Sequence, residues 1–181
     1  MDIIYPSKKI TTLSPDGFMD YLRSLDESEW ENYTDRQTRF SQHQHTKTIP
    51  ALFPDRNAFP EITINDFPLT EGIRPFWQEL VDIFSEQNSE QYVVTLAMVV
   101  RLSPERSIET HSDTHPYFAL THRLHWALQA DYDDMDFLVA GEKIPMKGGD
   151  VVEINNRLPH SVNYSGKEHR YNFIIDLFKV P

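Results

Sequence analysis

The sequence predicts a mainly β protein, a sandwich or jelly roll of short strands with helical support from its N-terminal half. Three observations lead there. Helix-like spacing of apolar residues is confined to the region before residue 91. From there on apolar residues alternate in short runs rich in Val, Ile, Tyr and Phe. Clusters of Pro, Gly and Asn separate those runs, and helices followed by many strands imply layers rather than alternating units.

In chain order, Ser14, Pro15 and Asp16 read as a helix start, followed by Phe18, Tyr21, Leu22 and Leu25 on one helical face. Residues 30–70 are studded with proline and read as irregular. After Gly72, the series Ile73, Phe76, Trp77, Leu80, Ile83 and Phe84 keeps helical spacing until "SEQNSEQ" ends it. Strands are then predicted at 92–102, 121–130, 135–139, 151–154, 161–164 and 171–178, with "SPERS", "KGGD" and "NYSGKEH" as turns. A length of 181 residues suits a single domain over 1–181, in which 1–90 form a helical and irregular support region and 91–181 the β core.

Composition narrows the function. A formal net charge of −11 argues against nucleic acid and anionic membrane surfaces as partners. The chain has no cysteine, which removes disulfides and thiolate metal sites and leaves histidine and carboxylate as the strong ligands. "MDIIYPSKKI" has no signal-like run and "VVTLAMVV" is too short to span a bilayer, so the expected location is the cytoplasm.

The chemistry is concentrated in "IETHSDTHPYFALTHRLHWAL", residues 108–128, which hold four of the eight histidines. His111 and Asp113 stand two residues apart and in extended chain point the same way, about 7 Å apart at Cα. His160, after Pro159 and between two predicted strands, is the best third ligand. Two histidines and a carboxylate form a facial triad suited to iron(II) with open positions for a chelating cosubstrate and dioxygen; zinc satisfies the same donors. Arg170, across the "NYSGKEH" turn from His160, favours iron with an acidic cosubstrate such as 2-oxoglutarate, because a guanidinium inside a barrel needs a carboxylate. Arg123 and His125 share one strand face, with His122, Leu124 and Trp126 on the other. His115 reads as part of a turn with Pro116, His169 as a surface residue. His43 and His45 in "HQH" read as a mobile loop near the site rather than a metal pair, and Asn155 and Asn156 as the turn that presents His160.

The H-x-D, the following "HRLHWAL", the ending "GGDVVEINNRLPHSVNYSGKEHRYNFIIDLF" and the spacing of His160 and Arg170 resemble the aspartyl/asparaginyl β-hydroxylase family of iron(II)/2-oxoglutarate dioxygenases. Upstream, "RQTRFSQHQHTKTI" is similar to the lead-in of some bacterial and phage members. The resemblance implies a double-stranded β-helix, a cupin-like jelly roll with supporting N-terminal helices. It implies iron bound by His111, Asp113 and His160, the distal carboxylate of 2-oxoglutarate held by Arg170, and Arg123 and His125 facing cosubstrate or substrate as catalytic and cofactor-binding residues. The best-known animal members lack the carboxylate ligand that Asp113 offers here. The implied reaction hydroxylates an amino-acid or peptidyl, Asp/Asn-like substrate with dioxygen, releasing succinate and carbon dioxide. Two rivals use the same barrel: a cupin-like isomerase or hydrolase with zinc or manganese, and a non-catalytic small-molecule-binding barrel.

Overall fold

The computed structural model describes residues 3–131 and 133–180, and its first strand begins well before residue 91. β1 (Ser7–Thr12) precedes α1 (Asp16–Ser24), α2 (Asp35–Arg39), β2 (Thr46–Pro54), β3 (Ile64–Asp66) and α3 (Thr70–Asn88). β4 (Tyr92–Leu102), β5 (Ser107–His111), β6 (Thr121–Gln129), β7 (Met135–Val139), β8 (Glu142–Lys143), β9 (Asp150–Ile154), β10 (His160–Tyr164) and β11 (Arg170–Lys179) follow. Short 3-10 turns lie at Glu27–Trp30, Ser41–His43, Arg56–Ala58 and Pro116–Ala119.

The strands form two antiparallel sheets, ordered β1-β9-β6-β11-β4-β2-β3 and β5-β10-β7-β8. This is the mainly β, cupin-like jelly roll that the sequence predicts. Period-two alternation divides the large sheet into two faces. Leu124 and Trp126 of β6, Ala97 and Val99 of β4, and Phe173, Ile175 and Leu177 of β11 pack with α1 and α3 through Phe18, Leu22, Ile73, Trp77 and Leu80. The opposite face carries Ala127, Val152 and Ile154 against Phe137, Val139 and Val162 of the small sheet. Helices thus seal one side of the large sheet and leave its inner side for the site.

Local chemistry accounts for the boundaries. α1 starts one residue after Pro15, and the Ser14 hydroxyl contributes no cap to its first turn beyond a long contact from Asp16 N at 3.4 Å. α3 ends where Ser89 adopts φ +54°, so that the N–H groups of Ser89 and Glu90 fold back onto the carbonyls of Glu86 and Ser85. Gly149 has φ +91°, and a Cβ there would meet the Leu13 carbonyl at 2.8 Å, which makes glycine necessary in the turn before β9.

The segment 30–70, read as irregular, instead supplies β2, which lies against β4 inside the large sheet. Prolines hid it. Pro50 sits at the register shift between Pro50 and Leu52, where a missing N–H is tolerated. β1 escaped notice because its burial pattern shows a single buried residue, Ile10, and β5 because only Ile108 is buried. Among the described residues, no helix is long and apolar enough to cross a membrane.

Candidate metal and cosubstrate site

β5 and β10 pair antiparallel with His111 opposite His160, and their ring centroids lie 4.3 Å apart. Asp113 joins them from the loop after β5, tied down by its N–H donating to the Asn156 carbonyl at 2.9 Å. One ligand atom from each of His111, Asp113 and His160 lies within 4.8 Å of the other two, so the three could hold a metal ion.

Neighbouring hydrogen bonds prepare each donor. His111 Nδ1 donates to the Glu109 carbonyl at 2.8 Å and His160 Nδ1 to the Leu158 carbonyl at 2.9 Å. A carbonyl only accepts, so the proton sits on Nδ1 and each Nε2 keeps a lone pair for a metal. Asp113 Oδ2 accepts from Asn156 Nδ2 at 2.9 Å and from Arg123 Nη1, which leaves Oδ1 without a protein partner among the described residues. Burial opposes ionisation of Asp113, but Arg123, Asn156 and the two histidines outweigh it and hold the carboxyl below its ordinary range. Burial likewise pushes His160 down to about 4, which keeps its imidazole neutral, the form a metal ligand needs.

β6 and β11 form the rear wall, and their alternation carries the remaining polar groups inward. Arg123 is opposite Asp176 in register; its Nε and Nη2 donate to the two Asp176 oxygens at 2.7 and 2.8 Å. Each nitrogen of Arg123 therefore has a carboxylate partner, so this residue lines the cavity while orienting Asp113. Arg170 is different. It is 2 % exposed, its Nε lies 2.9 Å from Met135 Sδ, its Nη2 is 3.5 Å from Asn172 Oδ1, and no acidic side chain among the described residues pairs with it. Burial pushes it down to about 10.

Asn172 links this cation to His125. With its oxygen toward the guanidinium, its Nδ2 donates to His125 Nδ1 at 3.0 Å. The His125 proton then sits on Nε2, a buried atom with no partner among the described residues, on a ring that lines the same cavity. Burial, reinforced by Arg123 and Arg170, lowers the pKa of His125 well below its ordinary value and keeps it neutral.

Structure places His111, Asp113, His160, Arg170, Arg123 and His125 together on one cavity. Of the other histidines, His115 accepts from Tyr117 N at 3.2 Å as a cap, and His122 lies on the outer face, bonded to Glu153 and packed against Phe84 and Tyr92. Asn155 holds the turn through Arg157 N, at 3.3 Å, whereas Asn156 reaches across to Asp113. The "HQH" segment departs from its reading as a polar mobile loop. His43 ends a 3-10 turn, is buried, and brings its ring 4.9 Å from His111. Burial, together with Arg36 and His111, pushes it down to about 2.

Sequence reasoning placed His43 only on a loop near the site and missed Arg36, Asn172 and Asp176. For the last two a signal existed: 170, 172, 174 and 176 share one face of β11, and polar residues inside so apolar a strand mark a cavity wall.

Comparison with known proteins agrees with this geometry. A family model described as aspartyl/asparaginyl beta-hydroxylase matches residues 74–180. A search among curated protein sequences found no match. Among solved structures, an oxidoreductase of the 2OG-Fe(II) oxygenase family from Burkholderia pseudomallei is similar with a TM-score of 0.64 at 11 % identity, over 96 % of this chain and 84 % of that one. HygX from Streptomyces hygroscopicus, with nickel, 2-oxoglutarate and hygromycin B bound, gives 0.59 at 12 % identity, over 96 % and 82 %. AviO1 from Streptomyces viridochromogenes gives 0.56 at 16 % identity, over 97 % and 92 %. These structures share the fold; the family model covers more than half of the chain. The chain belongs to the aspartyl/asparaginyl β-hydroxylase family and is an iron(II)- and 2-oxoglutarate-dependent dioxygenase.

Proposed function

We propose that this dioxygenase hydroxylates an amino acid or a peptidyl Asp/Asn-like residue at a centre held by His111, Asp113 and His160, with Arg170 receiving the distal carboxylate of 2-oxoglutarate. The observation that carries the reading is Arg170: a buried guanidinium without an acidic partner among the described residues, on the cavity that three convergent candidate ligand atoms share. A buried cation is costly unless paired, and a dicarboxylate cosubstrate supplies the pair. Iron(II) with bound 2-oxoglutarate supplies the oxygen-activating chemistry, with release of succinate and carbon dioxide.

The chain's own groups divide the remaining work. His111 and His160 present Nε2 because backbone carbonyls hold their Nδ1 protons. Asp113 supplies the negative charge among the ligands, and Arg123 and Asn156 orient it through Oδ2. His125, neutral and with Nε2–H free, donates a hydrogen bond to a cosubstrate or substrate oxygen. Phe137, Ile174 and Val162 line the cavity as apolar wall and exclude water.

Oxygen-dependent succinate release from 2-oxoglutarate, stimulated by members of an amino-acid and peptide panel, tests the reading. A metal-dependent hydrolase would ignore both dioxygen and 2-oxoglutarate, and a binding barrel would release no succinate. Either result would overturn it.

A further inference from the structure

One cation on the cavity wall is not used by the centre proposed above. Arg36 belongs to α2, a short helix on the surface, and its side chain is half-buried overall. Its head turns inward and lines the cavity with His43, His111, Asp113 and His160. Nη1 is fully buried without a hydrogen-bond partner, and the guanidinium forms no ion pair among the described residues. The acid beside it is engaged elsewhere: Asp35 pairs with Arg39 at 3.3 Å. Burial pushes Arg36 down to about 10; Arg123 and Arg56 add to this, and Asp113, already held by Arg123 and Asn156, offsets it only in part.

A second unsatisfied arginine stands near. Arg56 lies 4.7 Å from the ring centre of Phe118, whose ring also receives Arg123 at 4.8 Å, and its Nε is buried without a partner among the described residues. Around the centre, Arg36, Arg56, Arg123 and Arg170 outnumber Asp113 and Asp176 by two, and Arg123 is paired with both aspartates. Iron(II) and the dianion of 2-oxoglutarate cancel in charge, so loading the centre leaves that excess in place. The chain as a whole carries a formal net charge of −11, so this local positive surplus is opposite in sign to that of the protein.

We infer that Arg36 is the specificity-determining residue of this enzyme: it receives a carboxylate of the substrate, so that the enzyme selects an acid over the corresponding carboxamide. The inference rests on the amino-acid hydroxylase reading and sharpens it, since an aspartyl-type or free-acid substrate is preferred to an asparaginyl-type one. A guanidinium fork matches a carboxylate with two parallel N–H donors, whereas a carboxamide offers one acceptor and sets its NH2 against a donor. Leaving a buried donor unmatched is what gives polar sites their discrimination.

Two measurements test this. In the first, acetate is titrated into protein labelled with 15N at arginine, without metal or cosubstrate, and the side-chain signal that disappears in Arg36→Gln identifies Arg36. A saturable shift of that signal is expected; no response overturns the proposal. In the second, nickel- and 2-oxoglutarate-loaded protein is titrated with amino acids and short peptides, each beside its carboxamide, and with O-phosphoserine. Acids should bind about 30-fold or more tightly than their amides. Arg36→Gln should erase that preference while still binding 2-oxoglutarate, and Arg36→Lys should recover part of it. Equal binding of acids and amides, retained preference in Arg36→Gln, or stronger binding of the phosphate would overturn the carboxylate assignment. If no panel member binds, the acetate response decides. Failure of the wild type to bind 2-oxoglutarate would instead sink the proposed centre, and the acetate response at Arg36 would still be read independently. Arg36 lies on a short surface helix, so thermal unfolding of both variants near the wild-type midpoint separates loss of recognition from loss of fold.

Discussion

Arg170→Ala offers the sharpest test of the cosubstrate site. The guanidinium is 2 % exposed and has a thioether and an amide oxygen as its protein neighbours. Burial pushes its pKa down to about 10; at about 1.4 kcal/mol per pH unit, this environment opposes its charge by roughly 3 kcal/mol. A carboxylate placed against it relieves that cost. Truncating one partner of a buried charge pair typically costs about 2 to 5 kcal/mol. These magnitudes agree and put the loss of 2-oxoglutarate affinity at roughly 30-fold to several thousandfold. Metal binding should survive, because no metal-ligand candidate touches Arg170 and the two bonds lost lead to Met135 and Asn172. Folding should survive as well, since the variant removes an unpaired buried charge. The assay is calorimetric titration of 2-oxoglutarate into manganese-loaded, oxygen-free protein, with manganese affinity measured separately. An unchanged 2-oxoglutarate affinity would refute the anchor, and parallel loss of metal binding would show that Arg170 supports the fold instead.

Asp113→Gly should weaken iron(II) binding by about tenfold or more while leaving a two-histidine site, since even outer partners of metal ligands are worth that much; His111→Ala or His160→Ala should abolish it, and unchanged iron affinity in Asp113→Gly would show that the triad was misread. Asp176→Ala removes a fully buried carboxylate from the fork of Arg123; we expect about 3 to 5 kcal/mol of destabilisation in urea unfolding together with weaker metal binding through Asp113, and a loss under about 1 kcal/mol would contradict the buried pair. Glu27, which Arg101 and Lys47 hold down to about 2, contributes stability that is present above its ordinary range and lost as pH falls toward 2. Glu27→Gln should therefore lower the urea midpoint more at about pH 5 than at about pH 3, and an equal drop at both would remove this carboxylate from the acid response.

Much of the site was legible in the sequence because strand alternation is a local rule. Residues two apart on one strand share a face whatever the rest of the chain does, so Arg123 and His125 on β6 could be placed on a common surface with Leu124 and Trp126 opposite. The H-x-D spacing works in the same way, and His160 and Arg170, about 50 residues further along the chain, could be picked out from their place after Pro159 between predicted strands and across the "NYSGKEH" turn, a choice with which the family resemblance agrees. Helix spacing located α1 and α3 for the same local reason.

What the tertiary structure alone decided is which polar groups find partners. Arg123 and Arg170 are both arginines on strands facing one cavity, yet Asp176 lies opposite the first and Met135 beside the second. That difference arises from register between β6 and β11 and from where β7 begins, and no local pattern encodes it. β2 enters the large sheet despite two prolines because a bulge accommodates Pro50, a tertiary outcome that overrides propensity. Arg36 and His43 precede the nearest metal-ligand candidate, His111, by 75 and 68 residues in a stretch that reads as polar loop. They reach the cavity only because β2 docks on β4 and draws the segment before it against β5. Local periodicity therefore determined the faces, and long-range pairing determined which charges on those faces were left for a ligand.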